Sequence, residues 1–324
     1  MKTSKKDSHA NAWSNYWHHD FLTTFVDHQD ENYTGEVKQY WTSVFSEIVS
    51  EQSIVDLAAG NGALLALAKE YFSDKDVTVA MTAIDIANLS NSSFYRENQE
   101  IEVLDKTDLA SISISDNTVD LCISQFGFEY SNTQESCKEV FRILKPNGRL
   151  HLVMHHASSY ISLHSRSAIE QIRLCRNSKL TQTTEKLLQR LQKLRKTHRE
   201  NKSDIKANEL RDHFNKMAER LIQYGEKLPD ADHIRYFLNE LSNLFSEKSK
   251  DLTLAQKLII IKKIESDSDN YHLRMSSMLD ASMDQKHIEK LKAELVSSGF
   301  EVTSMAALNS SGQDYAWLIE AIKR

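Results

Sequence analysis

An α/β fold, a parallel sheet built from strand–turn–helix units and interrupted by a long helical block, is what the sequence predicts. Three observations carry that prediction. The stretch 53–72 passes from an apolar strand through Gly60 and Gly62 into a helix with an apolar stripe. Short apolar strands ending in polar residues then recur, at 77–85, 101–104, 119–124 and 149–154, with helical spacing between them. From 158 to 282 the apolar period is helical throughout, and a helix and two strands close the chain at 283–324.

The first unit is the most informative. Ile54 and Val55 form its strand, Asp56 stands where the strand runs out, and Ala58, Ala59, Gly60 and Gly62 make the turn. Leu64, Leu65, Leu67, Ala68, Tyr71 and Phe72 give the following helix its buried face. Glycines at such a turn let the chain bend tightly and let a ligand lie against bare amides. A pyrophosphate would want the helix N-terminus, where an adjacent carboxylate would repel it. Asp56 therefore points to a cationic ligand rather than a dinucleotide.

In chain order, residues 1–10 read as a disordered tail and 11–50 as an N-terminal helical cap. Trp13, Tyr16, Trp17, Phe21, Leu22 and Phe25 fall close to helical spacing. A second helix from Gly35 to Ser50 carries Val37, Tyr40, Trp41, Val44, Phe45 and Ile48 on one stripe. Packing on the sheet accounts for both, and Tyr16, Trp17 and His18 are candidates for closing a ligand pocket. The second strand ends at Asp85, 25 residues beyond Gly60. An acidic residue in that place can accept both hydroxyls of a ribose. Strand four, 119–124, runs into Gln125, Phe126, Glu129 and Tyr130, on the sheet edge where ligands sit in doubly wound folds.

Strand five follows a turn at 145–148 and ends in His155 and His156. Paired histidines can bind a metal or act as a base. With no third ligand at sensible spacing, no metal is expected, and His155 is weighed as an acceptor-side base against a hydrogen-bonded structural histidine. The helical block has breaks near Ser178, Asn201 and Leu228, with Thr183, Ser203 and Asp230 as candidate caps. It reads as an all-α insertion, 158–282, inside a domain made of 51–157 and 283–324.

Asp-Leu-Ala-Ala-Gly-Asn-Gly at 56–62 resembles the first motif of class I S-adenosylmethionine-dependent methyltransferases, with Ala58 where a glycine is usual. Leu-Lys-Pro-Asn-Gly-Arg-Leu at 144–150 is similar to that family's entry into strand five. The resemblance covers roughly 50–155 and 283–324 and implies a Rossmann-like class I methyltransferase sheet. It implies S-adenosylmethionine as the methyl donor and S-adenosylhomocysteine as the product. Asp56, Ala58, Gly60 and Gly62 would then hold the methionine portion, Asp85 the ribose, and Ile86, Asp108 and Leu109 the adenine. Gln125 and Phe126 would flank the methyl group. Tyr130, Glu129 and His155 would stand nearest the acceptor, expected to be a small molecule enclosed by the cap and the insertion. The residue reading of Asp108 as a helix N-cap can hold at the same time.

The totals bound the alternatives. The 324 residues are 40% hydrophobic and 27% charged, with only two prolines and eight glycines, which suits a helix-rich globular chain. Cys122, Cys137 and Cys175 show no paired spacing, so neither a disulfide framework nor a zinc site is expected. The first residues lack the apolar core of a signal peptide and no apolar run is long enough for a membrane span, so the expected setting is cytoplasmic. A net charge of −6 gives no general reason to expect nucleic acid. One segment departs from it: Arg166 to Lys202 holds eleven Lys or Arg against three Asp or Glu. Such an arm could grip RNA or protein, but it has no aromatics for stacking on bases, so nucleic acid is not the favoured partner. A non-catalytic binder of S-adenosylmethionine is the other alternative.

Overall fold

The computed structural model describes residues 13–23, 32–197, 204–310 and 313–324. The tail 1–10, Phe25, Arg199, Asn201, Lys202 and Ser203 lie outside the described residues. Seven strands form one sheet in the order β3-β2-β1-β4-β5-β7-β6. The strands are β1 (Ser53–Leu57), β2 (Ala80–Ile84), β3 (Glu102–Leu104), β4 (Val119–Gln125), β5 (Leu144–His155), β6 (Phe300–Ser310) and β7 (Gln313–Lys323). The first five run parallel, and β7 pairs antiparallel with β5 and with β6. This is an α/β Rossmann-like methyltransferase sheet whose last two strands form a hairpin.

Parallel strands buried on both faces need apolar side chains all along, and Ile54, Leu57, Ile84, Leu121, Ile123, Leu150 and Leu152 are fully buried. Helix α1 (Gly35–Ser46) covers one face with Val37, Trp41, Val44 and Phe45, spaced so that one stripe meets the sheet. Helix α2 (Ala63–Phe72) follows the glycine turn, and α3 (Ser93–Glu97) is a short piece before β3. Helix α4 (Thr133–Ile143) buries Cys137, Val140 and Ile143 in the second core, where Ile288, Leu291 and Leu295 of the closing helix also lie. Each such aliphatic side chain contributes about 1.5–3 kcal/mol by leaving water.

At 145–148 a turn is expected, and the structure keeps the bend inside β5. Leu144 stands opposite Val119 and Arg149 opposite Leu121, so the intervening residues bulge out of register. Asn147 takes the left-handed conformation that makes this possible (φ 65).

The chain divides into two compact units, 1–162 with 277–324, and 163–276. Helices α5 (Tyr160–Ser178) and α9 (Leu254–Ala281) carry the chain across the boundary. Between them lie α6 (Leu180–Lys196), α7 (Ile205–Gly225) and α8 (Asp232–Asn243). Leu180, Leu188, Leu221, Phe237, Leu241 and Ile261 form the core of the helical unit. The break after Ser178 falls where expected, on Lys179 at φ 55. Two expected caps are corrected. Thr183 lies inside α6, and Ala231 rather than Asp230 occupies the cap position of α8. Asp204 caps α7 by accepting the Ala207 N–H at 2.8 Å. The closing helix α10 (Gln285–Ser298) begins at Asp284, which accepts from the His287 N–H at 2.9 Å.

Candidate functional site

The parallel strands bring the ends of β1, β2, β4 and β5 to one edge of the sheet. Asp56 is the penultimate residue of β1, paired across the sheet with Ala83 and Ile123. Asp85 follows β2 directly, and its carboxylate accepts the Gly60 N–H at 2.8 Å and the Ala87 N–H at 2.7 Å. The Asp85 carboxylate therefore fixes the glycine turn that the sequence places 25 residues earlier. Burial pushes the Asp85 carboxyl up, against the pull of those N–H groups. Burial, with Asp85 nearby, pushes Asp56 well above the usual carboxylate range, and its Oδ2 has no hydrogen-bond partner among the described residues.

The backbone here is strained where a side chain is present. Ala58 adopts φ 58, beside Gly60 at φ 52 and Gly62 at φ 91. Past β4, Phe126 is left-handed as well (φ 55). Left-handed backbone in alanine and phenylalanine costs energy and clusters at functional sites. Gly127 makes room for the strained pair: a Cβ on it would stand 2.5 Å from Ala58 Cβ. Ser124 ties the two turns, donating to Leu57 O at 2.6 Å and accepting from the Phe128 N–H at 3.1 Å.

A second cluster sits at the ends of β4 and β5. Glu129, in a short 3₁₀ turn (Phe128–Tyr130), accepts the His155 N–H on Oε1 at 2.7 Å. Its Oε2 and the Nδ1 of His155 are buried with no hydrogen-bond partner among the described residues. The His155 ring stacks on Phe126, with centroids 4.4 Å apart and planes 11° apart, and meets Tyr130 edge-on at 6.0 Å. Burial pushes the Glu129 carboxyl up to about 7 and the His155 imidazole down to about 3. His155 is thus a neutral ring at ordinary pH. Gln125 offers its Nε2, also unpartnered among the described residues, while its Oε1 accepts from the Trp41 indole at 2.5 Å.

The N-terminal segment is laced over the glycine turn. Asn61 Nδ2 donates to Trp17 O at 3.0 Å and to Phe21 O at 2.9 Å. Ser14 Oγ accepts from the Asn88 N–H and Asp20 from the Ser93 N–H. The Trp17 ring lies so close that a Cβ on Gly60 would meet it at 2.6 Å. Tyr95 closes the underside with its hydroxyl on Gly60 O at 3.0 Å.

Of the residues the sequence singles out, Asp56, Gly60 and Asp85 come together, and so do Gln125, Phe126, Glu129, Tyr130 and His155. Asp108 turns its Oδ1 to the Ala110 N–H at 3.0 Å, as a turn cap does. Leu109 is buried in the core with Leu57 and Ile84, while Ile86 is 37% exposed. His156 goes elsewhere, accepting from the Ser158 N–H and packing on Trp317. Sequence reasoning missed Asn61, Ser124 and the Trp41–Gln125 contact. Only the last had a signal, since a buried indole N–H needs an acceptor.

In the helical unit His164, Asp230 and Asp232 bring ligand-type atoms within 4.8 Å of one another. Asp230 is already engaged, by Gln171 Nε2 at 2.7 Å and His164 Nδ1 at 3.2 Å. Several arginines of the basic arm are paired within this unit: Arg173 with Glu170, Arg176 with Asp269 and Arg190 with Asp204.

Residues 55–152 match a family model described as a methyltransferase domain. Residues 55–152 are thus a methyltransferase domain within the chain. No curated protein matches the sequence. Among solved structures the chain is similar to a component of the complex between the Trm112 methyltransferase activator of Haloferax volcanii and a proposed methyltransferase. That likeness is at 20% identity over 37% of this chain and 54% of the other, with a TM-score of 0.31. The matched stretch spans about half the length of that protein. It is also similar to a proposed S-adenosylmethionine-dependent methyltransferase of Methanococcus maripaludis (12% identity, 99% and 93% covered, TM-score 0.41). A third likeness is to a proposed zinc-dependent alcohol dehydrogenase of Rhodobacter sphaeroides (10% identity, 98% of each chain, TM-score 0.48). Among the described residues no helix is long and apolar enough to cross a membrane.

Proposed function

We propose that this protein is an S-adenosylmethionine-dependent methyltransferase acting on a small-molecule acceptor in the cytoplasm. The observation that carries the reading is the row of buried polar atoms left without partners along one sheet edge, at Asp56, Gln125, Glu129 and His155. A buried polar atom without a partner costs about 1–3 kcal/mol, so four in a row mark a place built for a ligand.

The residues fit the donor. Asp56 offers an unpaired carboxylate oxygen beside the glycine turn, where the methionine portion and its positive charge would lie. Asp85 keeps acceptor capacity beyond its two backbone bonds, enough for ribose hydroxyls. Ile86, Asp108 and Leu109 stand after β2 and β3 as candidates for the adenine end. The donor, when bound, supplies a methyl already activated on a sulfonium. The chain's own residues then have three tasks: to hold donor and acceptor in line, to exclude water, and to manage the acceptor's proton. Trp17, laced to Asn61, supports the exclusion of water. Three buried, unpaired cysteines support a reducing compartment.

Calorimetry with S-adenosylmethionine and S-adenosylhomocysteine, on the wild type and on Asp85→Ala, tests the reading. Micromolar binding that weakens about tenfold in the variant, roughly 1.4 kcal/mol, is expected. No binding by folded wild type would sink it.

A further inference from the structure

The acceptor half of the site has a chemistry of its own. It is built from the turn after β4 and the end of β5, whereas Asp56 and Asp85 belong to β1 and β2. Its polar atoms are Glu129 Oε2 and His155 Nδ1, both buried and without a hydrogen-bond partner among the described residues. The side chains around them are aromatic. Phe126 stacks on His155 and meets Tyr315 edge-on at 5.6 Å, Tyr315 lies 5.8 Å from Tyr160, and Trp13 meets Tyr130 edge-on at 5.6 Å. Among the described residues no lysine or arginine acts on Asp56, Asp85, Glu129 or His155.

We propose that the acceptor is a small amine, bound as its ammonium form by Glu129 Oε2 within this aromatic enclosure, and that Glu129 is the base that frees its lone pair. This deepens the methyltransferase reading above and rests on it. A carboxylate or phosphate acceptor would meet buried acids and, among the described residues, no compensating cation, which is costly. An alcohol would satisfy one hydrogen bond but leave the carboxylate without an opposite charge. An ammonium answers both needs, and aromatic faces attract cations by a further ~0.5–2 kcal/mol. His155, a neutral ring whose Nδ1 has no partner among the described residues, can take a second N–H there in the tautomer that carries its proton on Nε2.

The step balances. An ammonium has no lone pair, so one of its protons passes to Glu129 Oε2. The freed nitrogen pair forms the bond to the methyl carbon as the carbon–sulfur bond breaks with its electrons going to sulfur. The product leaves as an N-methylammonium, and Glu129 returns its proton to solvent. A carboxyl held near 7 by burial is suited to this exchange, where an ordinary carboxylate would be a much weaker base.

The test uses isosteric probes that differ only in the head group: benzylamine, benzyl alcohol and benzoate, and the phenethyl analogues of each. Binding is measured by calorimetry to the full chain saturated with S-adenosylhomocysteine, so that no methyl transfer occurs. At least one amine is expected to bind at least about tenfold tighter than its alcohol and acid counterparts. In Glu129→Gln that preference is expected to vanish while S-adenosylhomocysteine binding holds. The Gln Oε1 can still accept the His155 N–H, so the variant keeps the turn. If no amine outbinds its isosteres, or if Glu129→Gln retains the preference, the proposal is overturned. Failure of folded wild type to bind S-adenosylhomocysteine is the separate failure of the methyltransferase reading.

Discussion

The two edges of the parallel sheet are built to opposite rules. At the amino edge half-buried and buried polar groups find partners. Asp120 accepts from the Ser53 N–H at 3.0 Å, from Ser53 Oγ at 3.0 Å and from Lys145 Nζ at 2.7 Å. Lys323 Nζ donates to Leu144 O and to Asn117 Oδ1, both at 2.8 Å. At the carboxyl edge Asp56, Gln125, Glu129 and His155 each keep a buried polar atom unpartnered among the described residues. The backbone follows the same division. Left-handed residues near the amino edge include Asn117 and Asn147, a type that tolerates it, with Glu51 the exception. At the carboxyl edge they include Ala58, Lys106 and Phe126, which do not tolerate it well. One edge is optimised for stability, and the other holds strain and unmet hydrogen bonds that a ligand can relieve.

The sharpest way to break this comparison is to exchange the effects of a mutation at each edge. Asp120→Ala removes the acceptor for Ser53 and Lys145, and is expected to destabilise by about 2 kcal/mol. S-adenosylhomocysteine affinity should not change, because Asp120 lies at the far end of the strands. His155→Phe, which deletes an unpartnered nitrogen and keeps a ring on Phe126, should leave the urea midpoint at pH 7.5 unchanged or raise it. Urea unfolding of both variants checks this, and a larger loss in His155→Phe than in Asp120→Ala would reverse the assignment of the two edges.

How much of this was legible from the residues depends on how local each feature is. The glycine turn, the end of β2 at Asp85 and the order of the units follow from strand and helix periods, and the structure has them where expected. The helical block was equally legible as helices, but its caps were not, since Asp204 follows directly on Ser203 and either residue type suits the role. Trp17 over Gly60 and Asn61 on Trp17 and Phe21 join residues about forty positions apart, and an aromatic stripe reads the same whether it packs or encloses. The unpartnered atoms of Glu129 and His155 were named as positions but not as a pair. Lack of a partner is a property of the folded surroundings, which no spacing encodes. Leu109 is buried with Leu57 and Ile84, and from the motif alone a residue that packs there reads the same as one that lines a ligand.

The titrations sharpen the contrast further. The His155 imidazole is pushed from 6.5 to about 3, so the folded state binds fewer protons than the unfolded chain between those values. The stability it contributes is complete above 6.5 and is lost as the pH falls towards 3. Glu129, pushed from 4.5 to about 7, has the opposite sign: its contribution is complete below 4.5 and is lost as the pH rises through 7. Between pH 7 and 5 the wild type should lose about 1–2 kcal/mol more than His155→Phe. Glu129→Gln should remove the opposing slope and make the acid loss steeper. Urea midpoints across that window measure both. His151, four residues earlier on β5, is pushed down to about 4 but has Tyr40 Oη 3.0 Å from its Nδ1. Its acid loss should persist in both variants.

The smallest expected effect is the most specific to the strained edge. Ala58 stands at φ 58, where glycine would sit without strain. Left-handed backbone costs an alanine roughly 1–2 kcal/mol, and glycine gives back roughly 0.5–1 through its greater freedom in the unfolded chain. Ala58→Gly should therefore stabilise by about 0.5–1 kcal/mol, read as a higher urea midpoint. The methyl of Ala58 faces the space that Gly127 leaves open, where a Cβ would come within 2.5 Å of it. If that packing only accommodates the strain, S-adenosylhomocysteine affinity should stay within about threefold. If the strained alanine instead holds the turns after β1 and β4 in their ligand-ready shape, stability will rise while affinity falls well beyond threefold. A lower midpoint, by contrast, would mean that the methyl is worth more as packing than the left-handed backbone costs, and Ala58 would no longer count among the strained residues of the carboxyl edge.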